Sequence, residues 1–455
     1  MESRVAIAGA GLAGSEAALQ LAARGIAVDL FEMRPAVQTP VHKGGDCAEL
    51  VCSNSLKSLK PESAAGMLKA ELAALGSFLY ARALDCAVPA GGALAVDRDR
   101  FSAAVTAAIG AQPLIRLVRR EVASLDDLAG YEAAILATGP LTSDSLAASL
   151  GRALGADYLA FYDAAAPIVM ADSLDGSVLF RQSRYEEGAG DYLNAPFTKE
   201  EYERFIDALL GARRIIAREF ESRDLFQACQ PIEEIARAGR DAPRFGPLKP
   251  VGLTDPRTGR RPWAALQLRA ENAERTAYNL VGFQTNLAFP EQQRVFSLIP
   301  GLAQAEFARF GVMHRNTFLD APRLLGTDLR LRMAADAAGC PVHVAGQLGG
   351  TEGYCEALRS GVHCALAVAA ALRGIELPPL PRQTAFGALL AYATDPATAD
   401  YQPMHVNFGI MPPLDPPVRN KGERYRAYSE RGAAALAGYV AALEQVGLMD
   451  RGRAR

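Results

Sequence analysis

Val5-Ala6-Ile7-Ala8-Gly9-Ala10-Gly11-Leu12-Ala13-Gly14 decides the fold. An apolar run enters a glycine turn, and the small and apolar residues Ala17, Ala18, Leu19, Leu21 and Ala22 follow, so the order is strand, turn, helix. Gly25 closes the helix, and Ile26-Ala27-Val28-Asp29-Leu30-Phe31-Glu32 reads as a second strand ending in an acid, which makes residues 5–32 one βαβ unit. A lone GxGxxG is weak evidence. Here Gly9, Gly11 and Gly14 lie between strand and helix, and Glu32 falls 18 residues after Gly14, the context that dinucleotide binding requires. Gly9 permits the tight turn through Ala10, Gly11 lets the backbone approach a pyrophosphate, Gly14 lets helix and strand pack closely, and the helix N-terminus faces the anion. Glu32 is placed to hydrogen-bond ribose hydroxyls and disfavours a 2′-phosphate, so FAD or NAD fits this pocket better than NADP.

Two later stretches extend the unit. Ala133-Ala134-Ile135-Leu136-Ala137-Thr138-Gly139-Pro140 is a strand ending in Ala-Thr-Gly. Val342-His343-Val344-Ala345-Gly346 is another, followed by Gln347-Leu348-Gly349-Gly350-Thr351-Glu352-Gly353 and a helical run from Tyr354. A second glycine turn before a helix supplies a second positive helix end, suited to the flavin N1 and C2 carbonyl region. The expected fold is α/β: a Rossmann-like FAD-binding domain assembled from residues 1–175 and 306–455, with a smaller α/β domain inserted at 176–305. In that insertion, residues 198–219 read as a helix opened by Thr198, and Gly239 to Pro262 reads as loop.

Composition narrows the classes. The chain has 455 residues, half of them hydrophobic and 22% charged, enough for two or three domains with large cores and unlike a disordered chain. No apolar stretch is long and uninterrupted enough to span a bilayer, and no signal peptide is expected at the N-terminus. Seven cysteines at irregular spacings form no disulfide framework, so a reducing, cytoplasmic location is expected. The net charge of −3 gives no global signal for nucleic acid. Locally, residues 229–275 carry nine Lys or Arg against six Asp or Glu, a modest basic excess. The five histidines show no metal-ligand spacing, and the hydrolase elbow and P-loop motifs are absent.

Two thiols stand out. Cys86, Cys340 and Cys364 sit in or beside apolar sequence and read as small buried hydrophobes, while Cys47 and Cys355 stay open. Cys52 and Cys229 lie among polar residues at loop or helix starts, where Lys57 or a helix end would favour a thiolate. Either is a candidate catalytic nucleophile.

Together these stretches resemble one family, the bacterial folate- and FAD-dependent tRNA uracil-5-methyltransferases of the TrmFO or Gid type. The resemblance rests on Gly9 to Gly14 with Glu32, Cys52-Ser53-Asn54-Ser55-Leu56-Lys57, Cys229-Gln230-Pro231-Ile232-Glu233, Phe245-Gly246-Pro247-Leu248-Lys249-Pro250-Val251-Gly252-Leu253, Ala265-Leu266-Gln267-Leu268-Arg269, Gly282-Phe283-Gln284-Thr285, Gly346-Gln347-Leu348 with Glu352-Gly353-Tyr354, and His405-Val406-Asn407-Phe408-Gly409. It implies methylation of the T-loop uridine at position 54 of tRNA, with methylenetetrahydrofolate as carbon donor, reduced FAD as carrier and reductant, and NAD(P)H to regenerate it. Uracil C5 is a poor nucleophile, and a thiolate adding at C6 activates it. Cys229 is then the expected thiolate and Cys52 the group that removes the C5 proton, with a protective or structural role for Cys52 as the alternative. Tyr354 would stack near the flavin or pterin, or pack in the core. Lys249, Arg257, Arg260, Arg261 and Arg269 become candidates to hold tRNA phosphates. Folate and the T-arm of tRNA are the implied partners, and no obligate protein partner is evident. The competing readings are a GidA-type enzyme of wobble uridines, disfavoured by the short chain after the second glycine turn, a small-molecule FAD oxidoreductase, and a non-catalytic RNA-binding protein.

Overall fold

The computed structural model describes residues 4–39, 41–155, 159–164, 166–186, 188, 190–215, 230–272, 274–311, 313–332, 338–398 and 401–450. Its first sheet has five parallel strands in the order 342–344, 133–136, 4–8, 27–31 and 115–118. The expected unit is present: β1 (Arg4–Ala8) and β2 (Ala27–Phe31) are joined by α1 (Leu12–Ala23), and the chain turns out of the helix at Gly25 with φ +79°. Strands covered on both faces read as continuous apolar runs, and Val5 to Ala8 are accordingly all buried. Because the strands are parallel, their carboxyl ends share one edge. The strand order reverses direction at β1, and a crevice opens there.

Backbone contact between helices fixes that edge. A Cβ on Gly14 would stand 1.9 Å from the Gly9 carbonyl oxygen, and one on Gly361 would stand 2.4 Å from the Ala13 carbonyl oxygen. Gly361 belongs to the late helix Tyr354–Leu372, so this helix and α1 cross with almost nothing between them. Gly14→Ala is therefore expected to cost about 1–3 kcal/mol through overpacking. Urea denaturation should show a lower midpoint and the purified variant should lose bound nucleotide; an unchanged midpoint would contradict the close approach. By length and composition the late helix is apolar enough to cross a membrane, yet it is mostly buried inside the fold, against α1 and the helix Ala64–Ala74.

The second sheet is antiparallel throughout, in the order 180–181, 193–197, 264–270, 277–280, 168–170 and 307–309. Its first and last strands along the chain, 168–170 and 307–309, lie just outside the 176–305 span. A separate core, with Phe197, Phe205, Phe283 and Phe296 in successive ring contact, sits beneath the helix Lys199–Leu210. That helix begins as read, with Thr198 and Glu201 forming a reciprocal capping box. It stops at Leu210 rather than running to 219, because Gly211 follows and glycine is a poor helix former. An antiparallel ribbon of 159–164 with 313–318 carries the chain between the two sheets.

Candidate functional site

One elongated cleft of about 1620 Å³, including its open mouth, runs along the carboxyl edge of the parallel sheet. Gly9, Gly11, Glu32, Gly139, Gly346, Gln347 and Tyr354 all line it. Two helix N-termini reach it. α1 begins after Gly11 and the late helix after Gly353, and neither has a side-chain cap, so their first N–H groups are available to an anion. Gly9 adopts φ +98°, which leaves its Cβ position 2.6 Å from the Ala137 carbonyl oxygen, whereas a Cβ on Gly11 would meet nothing within 4 Å. The first glycine makes the turn and the second leaves open space where phosphates would lie. Gln347 adds a buried side-chain amide nitrogen with no protein partner among the described residues, as a donor awaiting a ligand would. The cleft thus fits a pyrophosphate-bearing dinucleotide.

Other expected residues take supporting roles. The Ala10 N–H donates to Glu32 Oε2 at 3.1 Å, and Arg34 donates through its backbone N–H and Nε to Glu32 Oε1 at 3.0 and 2.8 Å. Burial alone would push the Glu32 carboxyl up, but these donors, Arg34 foremost, hold it below the usual range. It stays a carboxylate whose remaining lone pairs face the cleft. Gly14 is spent on helix packing, and neither Gly349 nor Gly350 lines the cleft. Gly349 packs on Val344, and Gly350, at φ +83°, accommodates the Tyr401 hydroxyl where a Cβ would clash.

Tyr354 holds a loop. Its phenol oxygen accepts the N–H groups of Cys52 and Ser53, each at 3.0 Å, joining residues some 300 positions apart at the cleft wall. Three arginines grip the same loop from other sides. Arg98 donates to the Leu50 carbonyl at 2.8 Å, and Arg309 to the carbonyls of Val51 and Cys52 at 2.7 and 3.2 Å. Arg269 donates to Asn54 Oδ1 at 2.7 Å and Ser53 Oγ at 2.6 Å. Burial, with Arg98 nearby, depresses Arg309 to about 10. Arg269 is only 6% exposed, so its expected contact with tRNA phosphate is corrected: it is a strut between the second sheet and the Cys52 loop. No spacing in the sequence announced Arg98 or Arg309.

Cys52 is half-buried and lines the cleft. Burial pushes the thiols of Cys47, Cys86, Cys340, Cys355 and Cys364 up, Cys355 to about 12, which suits packing rather than chemistry. Cys229 lies outside the described residues. The chain just after it is anchored: the Ile232 N–H donates to the Gln284 carbonyl at 2.8 Å, and buried Glu233 accepts from the Asn286 N–H at 2.6 Å and Thr285 Oγ1 at 2.9 Å. Desolvation pushes that carboxyl up to about 7. Of the candidate phosphate binders, Lys249, Arg257, Arg260 and Arg261 are exposed, and Arg257 is already paired with Asp255 at 3.0 Å.

Comparison with known proteins agrees with this geometry. The family model described as "Glucose inhibited division protein A" matches residues 4–376. Curated relatives named "Methylenetetrahydrofolate--tRNA-(uracil-5-)-methyltransferase TrmFO" include one from Moorella thermoacetica, 52% identical over 95% of this chain and 97% of its own length. Another, from Geobacter sulfurreducens, is 52% identical over 97% of this chain and all of its own. Among solved structures, Aquifex aeolicus GidA superposes with a TM-score of 0.70 at 16% identity, covering this whole chain and 77% of that one, a likeness of fold. On the matched residues and the identity over nearly the full length, this chain belongs to the glucose inhibited division protein A family, on its TrmFO branch.

Proposed function

We propose that the chain is an FAD-dependent tRNA methyltransferase that forms 5-methyluridine at position 54 of the T-loop, with methylenetetrahydrofolate as carbon donor and NAD(P)H as the source of reducing equivalents. The observation that carries this reading is the meeting of a dinucleotide cleft with the Cys52 loop on one wall, beneath the uncapped end of the late helix. The two TrmFO relatives, 52% identical and matched over nearly their full length, support it and favour it over a GidA-type wobble-uridine activity.

FAD bound in the cleft would supply the one-carbon transfer and the electrons that complete the methyl group. The chain's own residues bind and orient. The N-terminus of α1 and the open face of Gly11 would hold the pyrophosphate, Glu32 would take the ribose hydroxyls, and the N-terminus of the late helix would favour negative charge on the flavin. Cys229 adds to uracil C6, and Cys52, fixed by Tyr354 and the arginines through its backbone, takes the proton from C5. Exposed Lys249, Arg260 and Arg261, with Arg257 beside them, hold RNA phosphates. This chemistry belongs in a reducing compartment where tRNA is found, which is the cytoplasm.

The test is direct. Purified protein should carry yellow flavin and, with methylenetetrahydrofolate and NAD(P)H, convert uridine 54 of an unmodified transcript to 5-methyluridine, as read by nucleoside mass spectrometry, while a transcript with cytidine at 54 stays unmodified. Binding should fall steeply between 50 and 200 mM salt, as phosphate contacts require. A colourless protein, or rapid NAD(P)H oxidation with no product on tRNA, would refute the assignment.

A further inference from the structure

The largest exposed apolar side chains do not belong to the cleft. Phe245 is 79% exposed and Tyr185 72%, ahead of every other large hydrophobic among the described residues. Both flank one loop, Phe245-Gly246-Pro247-Leu248-Lys249-Pro250-Val251-Gly252, whose motif the dinucleotide site leaves unused. Phe245 begins it, and the ring of Tyr185 covers its end, 2.9 Å from where a Cβ of Gly252 would stand. Solvated phenyl surface contributes little to folding, and apolar groups ringed by polar ones mark binding surfaces.

The loop is held rigid. Leu248 is fully buried, and its carbonyl accepts the Ala265 N–H at 3.0 Å. The Leu248 N–H donates to the Pro243 carbonyl at 2.8 Å, and Pro247 packs 2.9 Å from the Cβ position of Gly282. Arg184 donates to the carbonyls of Lys249 and Val251. Tyr185 itself adopts φ +65°, unusual for an aromatic residue, and its N–H donates to the Gly252 carbonyl at 3.0 Å. Such an outlier persists only where its surroundings enforce it. Two aromatic rings are thus presented to solvent on a stiff support.

Charge and position identify what they face. Residues 240–261 carry six Lys or Arg against two Asp or Glu. Lys249, Arg260 and Arg261 enter no ion pair among the described residues, so their charge is free for a polyanion. The strand Ala264–Ala270 links this surface to the site. Gln267 accepts from Arg184 Nε at 2.8 Å, and Arg269, on the same face two residues on, holds the Cys52 loop. Two residues of strand span roughly 7 Å, so the anchor of Arg184 and the anchor of the Cys52 loop are neighbouring positions on one strand face. Aromatic faces beside a cationic track are how proteins hold unpaired nucleotides without reading their sequence.

We propose that Phe245 and Tyr185 form a stacking platform for unpaired bases of the tRNA T-loop, flanked by Lys249, Arg260 and Arg261 on the phosphates. The inference rests on the tRNA reading above and adds how the loop is kept open. Extruding a base from a folded loop costs a few kcal/mol in lost stacking, and replacing that stacking on protein rings offsets the loss. Neither residue touches the reacting atoms; both position the substrate.

The experiment measures dissociation constants of the flavin-loaded protein for a T-arm hairpin over a salt series. Phe245→Ala and Tyr185→Ala should each weaken binding by about 5- to 150-fold, the range for one lost base stack, with flavin content and the salt slope unchanged. Phe245→Trp and Tyr185→Phe should bind nearly as wild type does. Arg260→Glu with Arg261→Glu should instead flatten the slope. Unchanged affinity in both alanine variants would overturn the platform. So would a concentration-dependent dimer in sedimentation that Phe245→Ala dissolves, which would assign the patch to a second copy of the chain. A wild-type protein that fails to bind the hairpin would overturn the tRNA reading itself, and the platform with it.

Discussion

Replacing Cys229 with alanine is expected to abolish methylation, by on the order of 10⁴-fold or more, the scale on which loss of a covalent nucleophile falls. The size follows from the substrate. C5 of uracil cannot attack a methylene carbon until a nucleophile at C6 has turned the ring into an enolate, and water does not substitute for a thiolate. A transcript with 5-fluorouridine at position 54 separates this role from that of Cys52. Fluorine in place of hydrogen blocks proton removal at C5, so the reaction halts with sulfur still bonded to C6. Wild-type protein with methylenetetrahydrofolate and NAD(P)H should therefore yield a denaturation-resistant protein–RNA adduct, and Cys229→Ala none. Cys52→Ala should still form the adduct while losing turnover on ordinary transcripts, because proton removal comes after carbon transfer. The structure gives Cys52 the fixed position such a step needs: its backbone is held by Tyr354, Arg98 and Arg309 in a cleft-lining loop. Normal methylation by Cys229→Ala would end the covalent account. An adduct absent from Cys52→Ala would move the nucleophile to residue 52.

What the sequence disclosed, and what it hid, follows from the range of the interactions. The glycine turn was readable because its requirements are local: positive φ at Gly9, a close approach at Gly14 and an acid at the end of the next strand are all set within about 30 residues. The second helix end at Gly353 was readable for the same reason. Arg269 was not. In a basic stretch it looks like a phosphate ligand, and it is buried because it pairs with Ser53 and Asn54, more than 200 residues away. One signal was present: in Ala-Ala-Leu-Gln-Leu-Arg-Ala, Gln267 and Arg269 alternate with leucines, so both face one side of the strand, and a polar side in the middle of a sheet must meet a partner. Tyr354 reads from sequence as a stacking or core residue, and it does line the cleft and pack against the core; the further role of its hydroxyl, organising a loop that only the folded chain brings near, has no local signal. Arg98 and Arg309 carry no motif at all; Arg309's targets are backbone carbonyls, which any sequence could offer, and Arg98 adds to its carbonyls an ion pair with Glu271, 173 residues away.

The ion pair between Arg359 and Glu71 carries the largest stability effect expected from one substitution. Arg359 lies on the late helix with no exposed side-chain surface, and its Nε is 3.3 Å from Oε2 of Glu71, which is nearly as buried. The second carboxylate oxygen accepts the Ala385 N–H at 2.5 Å and the Phe386 N–H at 3.2 Å, capping the helix Ala385–Thr394, and the guanidinium lies 4.8 Å over the Phe386 ring. Three helices therefore share one charge pair beneath the cleft. Arg359→Met preserves much of the volume and removes the counter-charge, leaving a carboxylate stranded in the core, which should cost about 3–5 kcal/mol. Burial already pushes the Glu71 carboxyl above its usual range even with Arg359 against it, so without the arginine it rises further. The sign of the pH dependence follows: a buried acid whose folded value is raised penalises folding once the unfolded carboxyl ionises, so the deficit should be larger at pH 8 than at pH 5.5. The double variant Arg359→Met with Glu71→Gln, which keeps an acceptor for the helix N-terminus, should recover part of the loss and abolish the pH dependence. Urea denaturation of the single and double variants at both pH values measures this directly. If Arg359→Met loses less than about 1 kcal/mol at either pH, the pair contributes no more than an exposed one would, and the late helix must be held in register by the glycine contact with α1 alone.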